Sequence, residues 1–306
     1  MKISIIGAGH VGGLTAMRLS HCGLGEVVLI DVVRNLAQGK SLDINDSRFI
    51  SKQNSHIRGT DDIRQISESD IVIITAGLPR KPGMTREELA RKNSQIARGI
   101  SGNIKHLCPN SIVIVVTNPL DAMTHLIYKE TGHPANRVIG MGLSLDCARL
   151  ANLICEELNV NINEIEPCII GSHGEEMLPL ARYTKVKGAS LESQLEQKKI
   201  TVIFHKTFGR GAEIVQQLGS GSAYFAPSAA IAELATVIAS DEKRILPVSA
   251  LLNGEYGLDG LCIGIPCVIG KTGIEKIIEL ELNNQEREAF LKSAASIKKQ
   301  ISMING

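Results

Sequence analysis

Residues 2–12 have the sequence KISIIGAGHVG, an apolar run followed at once by a glycine-rich turn. The run predicts a buried β-strand, and a helix is predicted over His10–His21. Gly7, Gly9 and Gly12 fit the pattern G-x-G-x-x-G, in which the glycines permit a tight turn and let the backbone approach a pyrophosphate at the helix N-terminus. A strand, this turn and a helix in that order predict a dinucleotide-binding unit.

Asp31 is predicted to end the second strand, nineteen residues after Gly12. A carboxylate at that place accepts hydrogen bonds from the adenosine ribose hydroxyls and repels a 2′-phosphate. The sequence therefore predicts NAD as the cofactor in preference to NADP, although Arg34 nearby weakens that preference. A glycine-rich turn that is only structural is the alternative.

Short apolar runs alternate with amphipathic stretches through the first half of the chain, which predicts right-handed βαβ crossovers and a parallel sheet. The predicted strands are Lys2–Ile6, Glu26–Ile30, His56–Arg58, Ile71–Thr75, Ile112–Val116 and Arg137–Ile139. The predicted helices are His10–His21, Leu36–Ser47, Thr85–His106 and Asp121–Glu130. Thr85 and Glu88 form a capping-box pattern at the start of the third helix.

The second half has a different pattern, and the change falls near residues 140–145. The predicted helices are Ser144–Leu158 with Ser144 as its cap, Lys198–Leu218 with a break at Gly209 and Gly211, Phe225–Ala239, and Asn284–Ile304. The predicted strands are Glu166–Gly171 and the antiparallel runs Arg244–Leu252, Gly260–Ile265 and Cys267–Ile269. The predicted fold class is α/β, with a doubly wound parallel Rossmann domain over residues 1–143 and an α+β substrate-binding and catalytic domain over residues 144–306.

Composition excludes several classes of partner. The 306 residues carry 33 Lys and Arg against 32 Asp and Glu, and this balance argues against a nucleic-acid or membrane-surface binder.

The seven cysteines are odd in number and contain no Cys-x-x-Cys pair, which predicts reduced cysteines, no metal site and a cytoplasmic protein. The apolar N-terminal run is too short for a signal peptide or a membrane span.

Residues 76–86, with the sequence AGLPRKPGMTR, follow the predicted strand Ile71–Thr75. Open α/β sheets bind ligands in loops at the carboxyl ends of their strands. Arg80 and Arg86 stand in this loop, and arginine holds carboxylates in a bidentate fork. The segment predicts a small substrate with more than one anionic group, and a solvated basic loop is the alternative.

Three further segments place polar side chains at strand ends or on a helix. Thr117 and Asn118 follow a predicted strand, Asp146 and Arg149 share one helix face, and His173 lies in a glycine-flanked loop. Taken singly, a histidine of this kind is commonly structural, and a helical Asp/Arg pair is commonly a surface ion pair.

Together these segments resemble the malate/lactate dehydrogenase family, and most closely the malate dehydrogenases of its lactate-dehydrogenase-like branch. The likeness covers essentially the whole chain, in family order. The segments that carry it are Gly7–Gly12 with Asp31, Gly39–Asp43, Ala76–Arg86, Thr117–Asp121, Leu145–Arg149, Gly171–Gly174 and Gly221–Tyr224.

The resemblance implies a role for each polar residue of the site. His173 is the acid/base, and Asp146 bonds its other ring nitrogen and stabilises the imidazolium. Arg149 holds the C1 carboxylate, Arg86 polarises the C2 carbonyl, and Asn118 bonds the same oxygen or the carboxylate.

The predicted cofactor contacts and assembly also follow from the resemblance. The cofactor contacts are Gly7, Gly9, Gly12, Asp31, Asn93, Thr117 and Asn118. The family implies a homodimer or homotetramer and a place in the tricarboxylic acid cycle.

Arg80 indicates which substrate is used. In a closed site an arginine that faced the methyl group of lactate would be left unpaired, whereas the second carboxylate of malate satisfies it. The sequence therefore predicts a dicarboxylate substrate and the malate–oxaloacetate pair. The alternatives are a lactate or other 2-hydroxy acid dehydrogenase, a nucleotide-binding sensor without turnover, and an NAD- and metal-dependent glycosidase.

The chain departs from the family pattern next to the predicted acid/base. Glu175 and Glu176 stand where the family has Asp and then Thr or Ser, and Cys147 replaces a serine or threonine. We expect the two glutamates to point away from the site. If either faced His173, it would raise the pKa of that histidine.

Overall fold

The computed structural model describes residues 1–78, 85–219 and 221–305, and for Arg86 and Asn305 the backbone alone. Over these residues the strands are β1 (Lys2–Ile6), β2 (Glu26–Ile30), β3 (Ile57–Thr60), β4 (Ile71–Ile74), β5 (Ile112–Val115), β6 (Val138–Gly140), β7 (Ile165–Glu166), β8 (Ile169–Gly171), β9 (Met177–Pro179), β10 (Lys185–Val186), β11 (Ala189–Ser190), β12 (Arg244–Asn253), β13 (Asp259–Gly270) and β14 (Gly273–Ile277). The helices are α1 (His10–Cys22), α2 (Leu36–Ser51), α3 (Arg86–Leu107), α4 (Leu120–Thr131), α5 (Leu143–Leu158), α6 (Leu191–Gln194), α7 (Gln197–Leu218), α8 (Phe225–Ser240) and α9 (Asn284–Asn305).

The first six strands form a parallel sheet in the order β3-β2-β1-β4-β5-β6. In its centre Ile3 lies beside Val27 on one side and Ile71 on the other, and all three are buried. Such strands are covered on both faces by helices, which explains their continuous apolar sequences. The order reverses between β1 and β4, so the carboxyl ends of these strands open the crevice expected of a doubly wound sheet. The predicted Rossmann fold is confirmed.

The same sheet continues into the second half of the chain. Strand β6 pairs antiparallel with β12 at Gly140 and Ser249, and β12 pairs with β13 in a long antiparallel hairpin. Strands β8, β9 and β14 extend this part, while β7, β10 and β11 form a separate small sheet. The prediction of an α+β second half with antiparallel strands is confirmed.

Two predicted features of the helices are wrong. Helix α5 begins at Leu143 with Gly142 at its N-cap, and Ser144 instead donates its hydroxyl to the carbonyl oxygen of Pro247 at 2.8 Å. Helix α7 runs without a break through Gly211, where an added Cβ would lie 3.5 Å from the guanidinium of Arg149. A Cβ there would make an ordinary van der Waals contact, so the packing does not require a glycine at this position.

Two predicted sets of strands have different bounds in the structure, and one predicted helix cap is confirmed. The predicted strand Glu166–Gly171 is interrupted after Glu166, where Pro167 lacks the N–H that a ladder needs. The two predicted runs on either side of Pro266 form the single strand β13. The capping box at Thr85 and Glu88 is confirmed, with both reciprocal hydrogen bonds present.

Helices fix the two halves against each other. Helix α8 packs on α1, and α9 packs on α3 and α4. All seven cysteines are free. Among the described residues, no helix combines the length and the apolar character needed to cross a lipid bilayer.

Candidate active site

The glycine-rich turn lies at the carboxyl end of β1, and each of its glycines meets a different constraint. Gly7 has φ of 108°, a left-handed conformation that favours glycine, and a Cβ on Gly12 would lie 1.8 Å from the carbonyl oxygen of Gly7. A Cβ on Gly9, in contrast, would point into open space. The fold itself therefore requires glycine at positions 7 and 12. The packing does not require glycine at position 9, and its absent side chain leaves room for a ligand to approach the backbone closely.

Asp31 follows β2 and is fixed beside this turn. One carboxylate oxygen accepts the backbone N–H of Ala8 at 2.6 Å, and the other accepts that of Val33 at 2.9 Å. Helix α1 starts at the same place without a side-chain cap and without an acidic residue in its first turn. Its first N–H groups and positive dipole end therefore suit an anion such as a pyrophosphate.

Asn93 connects two loops at the carboxyl ends of β4 and β5. Its buried amide accepts the backbone N–H of Leu78 at 2.8 Å and donates to the carbonyl oxygen of Asn118 at 2.9 Å. Thr117 adds a bond from its hydroxyl to the carbonyl oxygen of Ala76 at 2.6 Å. The structure places Asn93 and Thr117 in the framework of the crevice, while Asn118 is exposed. Their contact with a cofactor stays a prediction.

The structure brings together His173, Asp146 and Arg149, three of the residues that the resemblance assigns to the site. The Nδ1 atom of His173 lies 2.7 Å from one oxygen of Asp146, and the Nη1 atom of Arg149 lies 3.2 Å from the other. The Asp146 side chain is fully buried, and those of His173 and Arg149 are 16% and 13% exposed. Such a buried carboxylate fixes the orientation of the imidazole and leaves Nε2 for a substrate.

The charges around His173 control its protonation. Burial lowers the pKa of His173, but the charge of Asp146 and its hydrogen bond raise it, and Asp121 adds to that rise. The positive charge of Arg149 opposes them, and the net result is a raised pKa. The arrangement therefore favours the imidazolium, the form that can give a proton to a substrate oxygen.

Arg149 retains unused hydrogen-bonding capacity inside the site. Its Nε–H is buried and has no partner among the described residues. The side chain keeps 13% exposure, and arginine holds carboxylates in a two-pronged fork, so a substrate carboxylate would be met by the Nη donors and not by the enclosed Nε–H.

The loop that carries His173 is held by two residues that the sequence reasoning did not assign a role. Asp121, on α4 and almost fully buried, accepts the backbone N–H of His173 at 2.9 Å and the hydroxyl of Ser172 at 3.2 Å. Ser293, on α9, accepts the N–H of Ser172 at 2.7 Å and donates to the carbonyl oxygen of Glu176 at 2.7 Å. Asp121 belongs to a motif that the resemblance covers, whereas no feature of the sequence singles out Ser293.

The remaining predicted residues have the following positions. Arg80 lies outside the described residues, as does the side chain of Arg86, whose backbone begins α3. Glu175 is exposed, and Glu176 extends to Lys292 with a nitrogen–oxygen distance of 3.3 Å. The carboxylates named as raising the pKa of His173 are those of Asp146 and Asp121, and the expectation that the two glutamates point away from the site stays a prediction.

Comparison with known families matches both halves of the chain. The NAD-binding domain of lactate/malate dehydrogenase matches residues 1–140, and the alpha/beta C-terminal domain of lactate/malate dehydrogenase matches residues 144–305. A malate dehydrogenase of Methanosarcina mazei is 45% identical over 304 residues, which cover 99% of each chain. A malate dehydrogenase of Anoxybacillus flavithermus is 42% identical and covers 99% of this chain and 98% of its own length.

Solved structures with the same fold include both kinds of enzyme. The malate dehydrogenase of Cryptosporidium parvum superimposes with a TM-score of 0.96 at 38% identity, over 99% of this chain and 98% of its own. A lactate dehydrogenase from the same organism, solved with lactic acid and nicotinamide adenine dinucleotide, has a TM-score of 0.96 at 36% identity, over 100% and 98%. Backbone shape alone therefore does not separate the two substrates.

Proposed function

The chain belongs to the lactate/malate dehydrogenase family, and on this premise we propose that it is an NAD-dependent malate dehydrogenase that interconverts (S)-malate and oxaloacetate. It is an NAD-dependent oxidoreductase. The observation that carries the proposal is the buried contact of His173 with Asp146, with Arg149 on the other oxygen of the same carboxylate.

The residues of the nucleotide crevice fit NAD. The open side of Gly9, the uncapped start of α1 and the carboxylate of Asp31 at the end of β2 suit the pyrophosphate and the adenosine ribose. When bound, NAD supplies the nicotinamide ring that gives or takes the hydride.

The proton chemistry belongs to His173. In oxaloacetate reduction its Nε2–H gives a proton to the C2 oxygen, and in malate oxidation the same nitrogen takes that proton back. Asp146 holds the proton of Nδ1 in both directions and stabilises the imidazolium. Arg149 would hold the C1 carboxylate beside this imidazole through its guanidinium fork.

The choice of a dicarboxylate is supported by Arg80 and by the names of the full-length relatives. A guanidinium in a closed site needs a counter-charge, and only the four-carbon diacid brings a second carboxylate. Arg86 would polarise the C2 carbonyl, and Asn118 would bond the same oxygen or the carboxylate.

A direct test is the initial rate of NADH oxidation with oxaloacetate and with pyruvate, for the wild-type protein and for Arg80→Gln. We expect the wild-type protein to prefer oxaloacetate, and the variant to shift the ratio of the two kcat/KM values toward pyruvate by roughly a hundredfold, the scale of a lost buried charge pair. Exposed Arg64→Gln makes the same change of charge and serves as the control. An unchanged ratio in Arg80→Gln refutes the assignment of Arg80.

A lactate dehydrogenase is the second candidate function, because a lactate dehydrogenase shares the fold at a TM-score of 0.96. A wild-type preference for pyruvate would favour it. Binding of NADH without turnover on either acid would instead favour a nucleotide sensor.

Four further features complete the proposal: the location, the pathway, the functional division of the chain and the assembly. The protein acts in the cytoplasm within the tricarboxylic acid cycle, and its functional division falls between residues 143 and 144. It forms a homodimer or homotetramer, for which the apolar side chains on the outer face of α2 give support, with Phe49 and Ile50 each 82% exposed. Light scattering on Phe49→Glu tests the assembly, and an unchanged mass would argue against α2 as the interface.

A further inference from the structure

Lys40 lies on α2 and reaches the phosphate-binding turn from the side. Its Nζ atom donates to the carbonyl oxygen of Ala8 at 2.7 Å and to that of Gly9 at 2.9 Å. Neither partner is an acidic side chain, so these two contacts do not neutralise a positive charge on the ammonium. The family likeness of the segment 39–43 assigns no role to this residue.

The two carbonyl contacts determine where the N–H groups of the turn point. In a trans peptide the C=O and the following N–H point in opposite directions. The carbonyl of Ala8 shares its peptide with the N–H of Gly9, and the carbonyl of Gly9 shares its peptide with the N–H of His10. Lys40 holds both oxygens, and the N–H of Gly13 also donates to that of Gly9 at 3.0 Å, so the N–H groups of Gly9 and His10 point away from the ammonium.

The residues around Lys40 leave space for its side chain next to the turn. An added Cβ on Gly13 would lie 3.2 Å from Cδ and 3.3 Å from Nζ of Lys40, so the glycine makes room for the side chain. Burial lowers the pKa of Lys40, and the charge of Asp31 acts in the opposite direction. Lys40 thus places a positive charge close to an aspartate at a site that would receive a negatively charged ligand.

We propose that Lys40 is a positioning residue for the diphosphate of the dinucleotide, which it favours through the orientation of the turn and through its charge. It acts from behind the turn, and Gly13 is its packing partner. The inference rests on the dinucleotide binding of the proposed function and is independent of which 2-hydroxy acid is the substrate.

The test compares the binding of three ligands to Lys40→Met, a variant that keeps the length of the side chain and removes its charge. NADH binding is measured by the fluorescence of the cofactor, and ADP-ribose and adenosine binding by calorimetry. We expect the Kd for NADH and for ADP-ribose to rise about tenfold, the scale of a charged hydrogen bond near a helix N-terminus, with a smaller dependence on salt. Adenosine, which has no phosphate, should bind within twofold of its wild-type Kd.

Lys105→Met is the matched control, since Lys105 is exposed in the last turn of α3 and its replacement makes the same change of charge. Gly13→Ala tests the contact without a change of charge and replaces the main variant if that variant does not fold. It should weaken ADP-ribose binding at least threefold and leave adenosine binding unchanged.

Wild-type affinity for ADP-ribose in the folded Lys40 variant, or an equal loss for adenosine, would overturn the proposal. A wild-type protein that binds neither NADH nor ADP-ribose would instead contradict the proposed function, so the two failures are distinguishable.

Discussion

Replacement of Asp146 by asparagine tests the centre of the site most directly. The fully buried carboxylate contacts His173 at 2.7 Å and Arg149 at 3.2 Å through different oxygens. An asparagine has one oxygen and one NH₂ group. Whichever way the amide turns, one donor of the protein, either Nδ1–H or the guanidinium, faces another donor.

The size of the effect follows from these contacts. A hydrogen bond to a charged group contributes about 1.5–3 kcal/mol, and a buried donor without an acceptor costs a similar amount. We therefore expect kcat/KM for oxaloacetate to fall between about tenfold and 150-fold, by the conversion of about 1.4 kcal/mol to each factor of ten. Loss near the upper end is expected because the carboxylate is completely buried.

The pH dependence gives a second measurement with a definite sign. Oxaloacetate reduction needs protonated His173, so its rate falls as the pH rises through the pKa of this group. Asp146 is a principal cause of the raised pKa. Removal of its charge lowers the pKa of His173, and the falling limb of the profile moves to lower pH.

The assay is kcat/KM for oxaloacetate at saturating NADH across the pH range, for the wild type, Asp146→Asn and the exposed control Asp259→Asn. The control should keep both the rate and the profile. A limb that stays in place or moves to higher pH in Asp146→Asn would refute the electrostatic reasoning, whatever the loss of rate.

Three further predictions concern the turn, the histidine loop and the stability of the fold. Gly12→Ala would place a Cβ 1.8 Å from a backbone oxygen and should abolish stable folding. The Cβ of Gly9→Ala meets open space, so this variant should keep the wild-type Tm while its NADH binding weakens about tenfold. Equal losses of Tm in the two variants would contradict this difference. Ser293→Ala removes the partner of the buried N–H of Ser172 and of the partly buried carbonyl oxygen of Glu176, close to the histidine. It should lower kcat about tenfold with an unchanged Kd for NADH, so a parallel loss of NADH affinity would count against it. The hydrogen bond from Arg182 lowers the pKa of Glu286 below its ordinary 4.5. The pair therefore stabilises the fold fully above pH 4.5 and loses this contribution as the pH falls from there through the lowered pKa. Urea unfolding of Glu286→Gln should show a deficit at neutral pH that disappears in acid, and a deficit independent of pH would contradict the expectation.

Much of the first half could be predicted because its strands are buried on both faces and have continuous apolar sequences. The second half has strands of two or three residues, such as β10 and β11, which are too short to show an alternation. Gly209 and Gly211 favour a break in α7 because a glycine weakens a helix, but the helix continues through both residues and packs on α5.

The predictability of the site has a similar physical limit. His173, Asp146 and Arg149 carry reactive groups in recognisable motifs, so they could be identified as a set. Asp121 and Ser293 act through backbone bonds to residues 52 and 121 positions away in the chain. Local patterns contain no information on such distant contacts, and only the folded chain reveals them.

The pairing of β6 with β12 makes one sheet of strands from both halves of the molecule. A hinge between the halves would have to break this pairing and the packing of α8 on α1 and of α9 on α3 and α4, which opposes a clamshell movement of the two halves. We expect ligands to enter between loops at the rim of a stiff frame, so the radius of gyration in solution should stay constant when dinucleotide and diacid bind.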